Sequence, residues 1–281
     1  MPQPKKRIAI QGVSGAFHEI AARRYFAANE VEVVPAHTFE DLIEVSQDGQ
    51  QTDGGIMAIE NTIAGTILKN YRLLHESGLT VTGEVFLRIK HNLMVLPGQE
   101  IQQIKEAHSH YMAIDQCRAF FKKHPHIQLV EAADTALSAA NVAENKLKGI
   151  GAIASSLAAK KYGLEIINQS IETNKKNFTR FLVLDRKIPK EDNFANKVSI
   201  FFSVDHKVGS LHRVLGLLSV LGANLTKIQS IPQPGSTWQY FIFIDFVLED
   251  PDDYQLVIRK LSQATTHLHI LGRYRIGEYF D

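Results

Sequence analysis

Cysteine is almost missing. Cys117 stands alone in 281 residues, so these residues hold no disulfide among themselves, and a reducing, cytoplasmic setting is expected. The thiol falls in Ile114-Asp115-Gln116-Cys117-Arg118-Ala119-Phe120, a helical pattern that predicts a packed side chain rather than a nucleophile. An excess of either charge is missing too: 31 basic and 30 acidic residues leave +1, without blocks of like charge. That excludes the electrostatic footprint of a nucleic-acid binder and a charged tail. No apolar run approaches the ~20 residues of a membrane helix, so no membrane partner is expected. Met1–Arg7 is basic, but Ile8-Ala9-Ile10 behind it is too short for a signal-peptide core.

Several chemical signatures are also lacking. Gln11-Gly12-Val13-Ser14-Gly15 is neither a P-loop nor a dinucleotide fingerprint, and no Ser/His/Asp order or H-E-x-x-H occurs. His108 and His110 alternate on a strand, and His124 and His126 flank Pro125. No carboxylate or thiol spacing completes a metal set around them, so no metal is expected.

What is present has the balance of a soluble globular chain, 44% hydrophobic and 22% charged, of a length for two domains or three small ones. Ile8–Ile10 predicts a buried strand, the 11–15 glycine turn follows, and a helix is expected over about Ala16 to Ala28. That turn is either an anion cradle of free N–H groups or a tight packed corner. Glu32–Val34 and Gly55–Ile59 predict further strands. Thr38 caps a helix to Gln47, and another helix runs from about Thr66 to Ser77. Glu60-Asn61-Thr62 follows the third strand, where open α/β sheets bind ligands. Leu79–Leu87 and Ile89–Leu96 are extended, as in a crossing between lobes.

A second α/β set predicts strands at Ile104–Ala107, Ile127–Ala132 and Ile150–Ala154. They lead to His108-Ser109-His110, Asp134-Thr135 and Ser155-Ser156, each beside a helix start. Next, a polar run from Glu172 to Lys176 meets Asn177-Phe178-Thr179-Arg180-Phe181 and an apolar strand. Thr179 offers a hydroxyl, Asn177 an amide and Arg180 a fork suited to carboxylates, which together suit a small anion. An ordinary strand entry with a solvated Arg fits the same five residues. Asp185–Asn193 predicts a linker. Beyond it, strands at Lys197–Val204, Asn224–Ile231, Gln239–Leu248 and His267–Tyr274 alternate with helices at Ser210–Leu221 and Pro251–Ala264. A turn is expected at Pro232–Ser236. The order βαββαβ is ferredoxin-like.

These motifs resemble the prephenate dehydratase family. Asn177–Phe181 is similar to its Thr-Arg-Phe signature and Ala58–Thr62 to its Pro-Ile-Glu-Asn-Ser stretch. Gly83-Glu84, Ile89–Leu93, His108–His110, Gln116-Cys117, Thr135-Ala136, Ala154-Ser155 and Tyr162–Leu164 follow in the family's order. The tail resembles an ACT domain, with Val208–Leu211 and Asn224–Lys227 in the expected places. The resemblance implies an α/β fold: a two-lobed catalytic domain like a periplasmic binding protein over 1–187, its second lobe about 88–165, then an ACT domain over 196–281. It implies that prephenate loses its ring hydroxyl and ring carboxylate to give phenylpyruvate, with no cofactor.

By the same resemblance, Thr179, Arg180, Glu60 and Asn61 are catalytic; Glu60 is left open between a relay and an electrostatic anchor. Thr62, Ser109, His110, Thr135, Ser155, Asn177 and Phe181 touch substrate. Val208, Gly209, Ser210, Leu211, Asn224, Leu225 and Thr226 bind phenylalanine as effector. A homo-oligomer, dimer or tetramer, is expected. With only seven residues before Ile8, no fused chorismate mutase is expected. Ala58, Thr62, Tyr111 and Asp134 depart from the family pattern, and Gln229-Ser230-Ile231-Pro232 replaces a charged Glu-Ser-Arg-Pro motif. Two rivals remain: an arogenate dehydratase, and a non-catalytic two-lobed amino-acid sensor.

Overall fold

The computed structural model describes residues 5–26, 31–188, 192–233 and 235–281. Met1–Pro4 of the basic start, the expected helix end at Ala28, part of the linker and Pro234 of the expected turn lie outside the described residues. The chain divides into two compact units, Met1–Ile67 with Val85–Phe181 and Tyr279–Asp281, and Leu68–Glu84 with Leu182–Glu278.

In the first unit, β1 (Lys6–Gln11), α1 (Phe17–Tyr25), β2 (Val31–Ala36), α2 (Phe39–Gln47) and β3 (Gly54–Asn61) build the first lobe. β1 runs parallel to both β2 and β3, and Ile8, Ala9 and Ile10 are buried, as in a strand covered on both faces. Thr38 does open α2, with a capping box: its Oγ1 accepts from Asp41 N while the Asp41 carboxylate accepts from Thr38 N. After β3 the chain folds back as β4 (Gly65–Thr66), pairing with Glu60 and Asn61. The next helix, α3 (Leu68–Ser77), therefore starts two residues later than the sequence predicts.

β5 (Thr80–Arg88) and β6 (Asn92–Val95) lead into the second lobe. There, β7 (Glu106–Ser109), α4 (Tyr111–Phe121), β8 (Gln128–Glu131), α5 (Thr135–Glu144), β9 (Ile150–Ala154), α6 (Ser156–Tyr162) and β10 (Glu165–Asn168) form a sheet of order β10-β6-β9-β7-β8. β7 begins later than the expected Ile104, because Ile101–Gln103 winds into a 3-10 turn closed by Gln103 Oε1 accepting from Glu100 N. Strand β10 has no clear signal in the sequence; it pairs antiparallel to β6 through a bulge. β11 (Phe178–Asp185) returns to the first sheet, of order β16-β5-β11-β3-β1-β2 with β4 on β3, where β16 is Glu278–Phe280.

The second unit carries the expected βαββαβ order: β12 (Lys197–Ser203), α7 (Ser210–Val220), β13 (Ala223–Pro232), β14 (Tyr240–Leu248), α8 (Tyr254–Ala264) and β15 (Thr266–Tyr274). Pro251 opens a 3-10 turn ahead of α8 rather than α8 itself. The sheet order is β13-β14-β12-β15, all antiparallel. Alternation divides β12: Val198, Ile200 and Phe202 join the core with Val214, Leu218, Val257 and Leu261 of the two helices. Phe201 faces the other way and meets α3, where the His75 ring stacks on it at 3.6 Å and Tyr71 lies edge-on to Phe243 at 4.8 Å. β12 is thus covered on both faces. Lys197 and Glu84, 3% and 0% exposed, form a buried ion pair at 2.7 Å. A last strand, β16 (Glu278–Phe280), ends the chain.

Candidate active site

β3 and β11 are neighbours in the first sheet, which brings Asn61, last in β3, beside Thr179, second in β11. Asn61 Oδ1 accepts from Ile63 N at 2.9 Å and Ala64 N at 2.8 Å, a side-chain turn of the kind asparagine favours. A backbone N–H only donates, so the atom facing these two must be the oxygen, and the amide orientation is fixed. Nδ2 then donates, to Asn177 Oδ1 at 2.8 Å, Thr179 Oγ1 at 2.9 Å and Phe178 O at 3.1 Å. Asn177, presenting its oxygen to Asn61, donates its own Nδ2 to Gln116 Oε1 at 2.7 Å. Gln116 Oε1 also lies 2.9 Å from His91 Nε2, so that nitrogen carries the His91 proton.

Two backbone N–H groups thereby set the polarity of a relay from His91 to Thr179. Its consequence lies at the end: the Thr179 oxygen accepts from Asn61, and no bond among the described residues takes its own hydrogen. Thr179 is 8% exposed and Asn177 is fully buried, so the relay is shielded from bulk water. Burial holds His91 below the usual imidazole range, against Gln116 and Glu172, which raise it.

Thr62 clasps the same corner. Its hydroxyl donates to Lys176 O at 2.9 Å and accepts from Phe178 N at 3.0 Å, while its own N–H donates to Phe178 O. Glu60, half-buried, pairs across to Thr66. Arg180 is buried, and because successive residues of a strand point to opposite faces, it leaves β11 on the side away from Thr179. Phe181 is packed, edge-on to His18 at 4.9 Å. His18 Nε2 accepts from Ala58 N at 3.2 Å, and burial pushes its pKa down to about 3.

The second-lobe residues singled out in the sequence sit apart from this cluster. Ser109 is fully buried and donates to Ile153 O at 2.6 Å; His110 caps α4 through Met112 N; Thr135 opens α5 behind the cap Asp134. Ser155 caps α6 and donates to Gly15 O at 2.6 Å. Among the described residues none of these four is hydrogen-bonded to Asn61, Asn177 or Thr179. The 11–15 turn is a packed corner whose Gly15 N–H is already spent on Glu19 Oε2 at 2.7 Å. Lys161 of the second lobe reaches Glu19 and Ser14, and Tyr162 donates to Ser14 O. Burial pushes the Glu19 carboxyl up, but Lys161, the Gly15 N–H and Arg23 outweigh it and hold the group below the usual range. A Cβ on Gly15 would stand 2.8 Å from Ala158 Cα, so the lobes meet here without room for a side chain.

The sequence did not single out Gln116 or His91 as site residues, nor Glu172, whose Oε2 accepts from His91 N at 3.0 Å. Gln116 had a signal: it shares an inward helix face with Ala113 and Cys117, both buried. Burial pushes the Cys117 thiol up, consistent with packing rather than reactivity. Among the described residues no group of three His, Cys, Asp or Glu side chains converges to hold a metal.

The family model of prephenate dehydratase matches residues 8–189, and that of the ACT domain matches 198–266. The chain belongs to the prephenate dehydratase family. As such it is an enzyme, a lyase of the dehydratase type, with an ACT domain behind the catalytic part. It is 35% identical to an arogenate dehydratase/prephenate dehydratase from the chloroplast of Arabidopsis thaliana, over 96% of this chain and 72% of that protein. Among solved structures, a prephenate dehydratase from Staphylococcus aureus superposes with a TM-score of 0.80 at 26% identity, covering 96% of this chain and all of that one. A protein described as a novel type of quorum-quenching acylase superposes with a TM-score of 0.86 at 31% identity, covering 96% and 98%.

In the ACT domain a cavity of about 880 Å³ opens beside α7. Val208, Ser210 and Leu211 line it, as does Ser230 of the altered Gln229–Pro232 motif. Gly209, at φ +81°, shapes the turn into α7. Asn224, Leu225 and Thr226 lie on β13 and are not among the lining residues.

Proposed function

We propose that the protein converts prephenate to phenylpyruvate, carbon dioxide and water in the formation of phenylalanine. The electron pair of the bond to the ring carboxylate enters the ring, carbon dioxide leaves, and the ring hydroxyl departs with one proton as water. Aromatisation drives the step, so the enzyme must supply a hydrogen-bond donor at the leaving oxygen and hold the dianion in place. The observation that carries this reading is the Asn61 Nδ2 to Thr179 Oγ1 bond, which occupies the oxygen as an acceptor and leaves the hydroxyl to donate. Thr179 works by hydrogen bonding, since an unperturbed hydroxyl is a poor acid. Asn61 and Asn177 orient it, and Glu60 and Thr62 hold the corner of β3. Arg180, buried on the opposite face of β11, acts on the dianion through its positive charge and not by direct contact. Ser109, His110, Thr135 and Ser155 shape the facing lobe.

The catalytic domain spans 1–187 and the ACT domain begins at 196, while Tyr279–Asp281 return to the first unit. Phenylalanine occupies the cavity at Val208–Leu211 and modulates turnover, a reading supported by the ACT match; loss of charge at Gln229–Pro232 alters its affinity or coupling. The protein works as a cytoplasmic homo-oligomer, a dimer or a tetramer.

Arogenate is the second candidate substrate, favoured by the name of the Arabidopsis relative. The test is incubation of purified protein with prephenate and with arogenate, following phenylpyruvate by absorbance and phenylalanine by chromatography. Faster turnover of prephenate supports the reading; faster turnover of arogenate moves the protein to the sister activity. Turnover of neither, with cleavage of an acylated quorum signal, would replace it with the activity named for the 31%-identical structure.

A further inference from the structure

The last strand, β16, lies beyond residue 266, where the ACT match ends. The chain leaves the ACT-bearing unit at Glu278 and re-enters the catalytic unit at Tyr279. Just before that crossing, Gly277 N donates to Glu84 Oε1 at 3.0 Å. The approach is so close that a Cβ on Gly277 would stand 2.4 Å from the Glu84 carbonyl oxygen. Glu84 is also the carboxylate that receives Lys197 Nζ at 2.7 and 2.9 Å, and Lys197 opens the first ACT strand. One buried carboxylate therefore holds both the start of the ACT sheet and the root of the tail.

Beyond the root, β16 lies along β5 at the edge of the seven-stranded sheet. The Tyr279 ring stacks flat on Phe86, centroids 4.5 Å apart and planes 9° apart, and stands edge-on to Phe178 at 5.6 Å. Phe178 is the residue whose carbonyl accepts from Asn61 Nδ2 and Thr62 N, and Thr179 follows it in the strand. Asp281 Oδ1 accepts from Arg88 Nη1 at 3.3 Å; Arg88 Nη2 is 3.9 Å from Glu172 Oε1, and Glu172 Oε2 accepts from His91 N. The tail thus touches Phe178, the neighbour of Thr179, and is linked by way of Arg88 and Glu172 to His91 at the other end of the relay. Tyr279 is 69% exposed and the strand has three residues, so its hold is peripheral and easily released.

We propose that Glu278–Asp281 is a strap by which the ACT domain positions Thr179, with Tyr279 as its positioning residue. A change at the ACT sheet that shifts Lys197 moves Glu84 and the root of the strap with it. Tyr279 then loosens from Phe178, and the Asn61–Thr179 geometry relaxes. The strap rests on the dehydratase reading for its effect on turnover, but not for its effect on the backbone.

The test uses the full chain with Tyr279→Ala and Tyr279→Phe, and with Asp281→Asn as a second, milder release. Hydrogen exchange at residues 177–181, kcat, KM and the response to added L-phenylalanine are measured on each. In Tyr279→Ala the 177–181 amides exchange about tenfold faster, and kcat falls about tenfold while KM stays within about twofold. L-phenylalanine still gives a calorimetric binding signal, yet turnover no longer follows it. Tyr279→Phe keeps the ring and behaves as wild type, and Asp281→Asn shifts the same readouts less. Unchanged exchange and kcat in Tyr279→Ala, or a retained phenylalanine response, overturns the strap. Faster exchange in a protein that turns over neither prephenate nor arogenate keeps the strap and overturns the dehydratase reading.

Discussion

Asn61 Nδ2 donates to Thr179 Oγ1 at 2.9 Å, and because Asn61 Oδ1 is held by two backbone N–H groups, that donation cannot reverse. Asn61→Asp keeps the shape and both backbone contacts but replaces the donor by an acceptor. The Thr179 hydrogen then turns inward to the new carboxylate. Turnover at neutral pH is expected to fall about a hundredfold, and the melting temperature to fall with it because the carboxylate also faces Asn177 Oδ1 and Phe178 O, as measured by steady-state kinetics and calorimetric melting. Wild-type kcat in that variant would separate the hydroxyl's orientation from the reaction.

Gly15 sits where the two lobes touch, at φ +95° and with Ala158 Cα 2.8 Å from any added Cβ. Gly15→Ala combines a backbone conformation costing about 1–3 kcal/mol with a wedge between lobes. A lower urea midpoint is expected, together with a KM raised about tenfold as the spacing of the two lobes at Gly15 and Ala158 changes. A normal KM would show that the lobes do not depend on this corner.

How much of this was legible beforehand depends on the kind of signal. Most strands and helices of the two α/β lobes, β4 and β10 excepted, and the βαββαβ tail followed from apolar runs, caps and glycine stops, because those are local rules. Thr38 announced its capping box in four residues. Asn61 and Thr179 were found by motif, but their bond spans 118 positions and no periodicity encodes it. Ser109 and Ser155 looked like ligand contacts at strand ends, yet both spend their hydroxyl hydrogens on backbone carbonyls, a distinction that only packing makes. β16 went unseen because a three-residue edge strand has no pattern of its own.

His18 gives the acid limb of stability. Its pKa is pushed down to about 3 in the fold from 6.5, so the unfolded chain binds more protons between those values. Stability from this residue is full above pH 6.5 and is lost as pH falls toward 3, at up to about 1.4 kcal/mol per unit. His18→Gln offers an oxygen to Ala58 N without titrating. Its stability is expected to fall less steeply with acid in urea titrations at stepped pH; an unchanged slope would assign the acid limb to other groups.

The Lys197–Glu84 pair is buried on both sides. Lys197→Met leaves an uncompensated buried carboxylate and is expected to cost about 3–5 kcal/mol in denaturant unfolding. Adding Glu84→Gln should recover a large part of it. Equal losses in the single and double variants would mean that the carboxylate is not what suffers.

The most direct measurement compares wild type with Thr179→Ala on prephenate, following phenylpyruvate by absorbance and substrate binding by calorimetry. The expected result is rapid phenylpyruvate formation by the wild type, and in the variant a kcat lower by about a hundredfold or more with binding within about threefold. Phenylpyruvate released at the wild-type rate by Thr179→Ala would contradict the account.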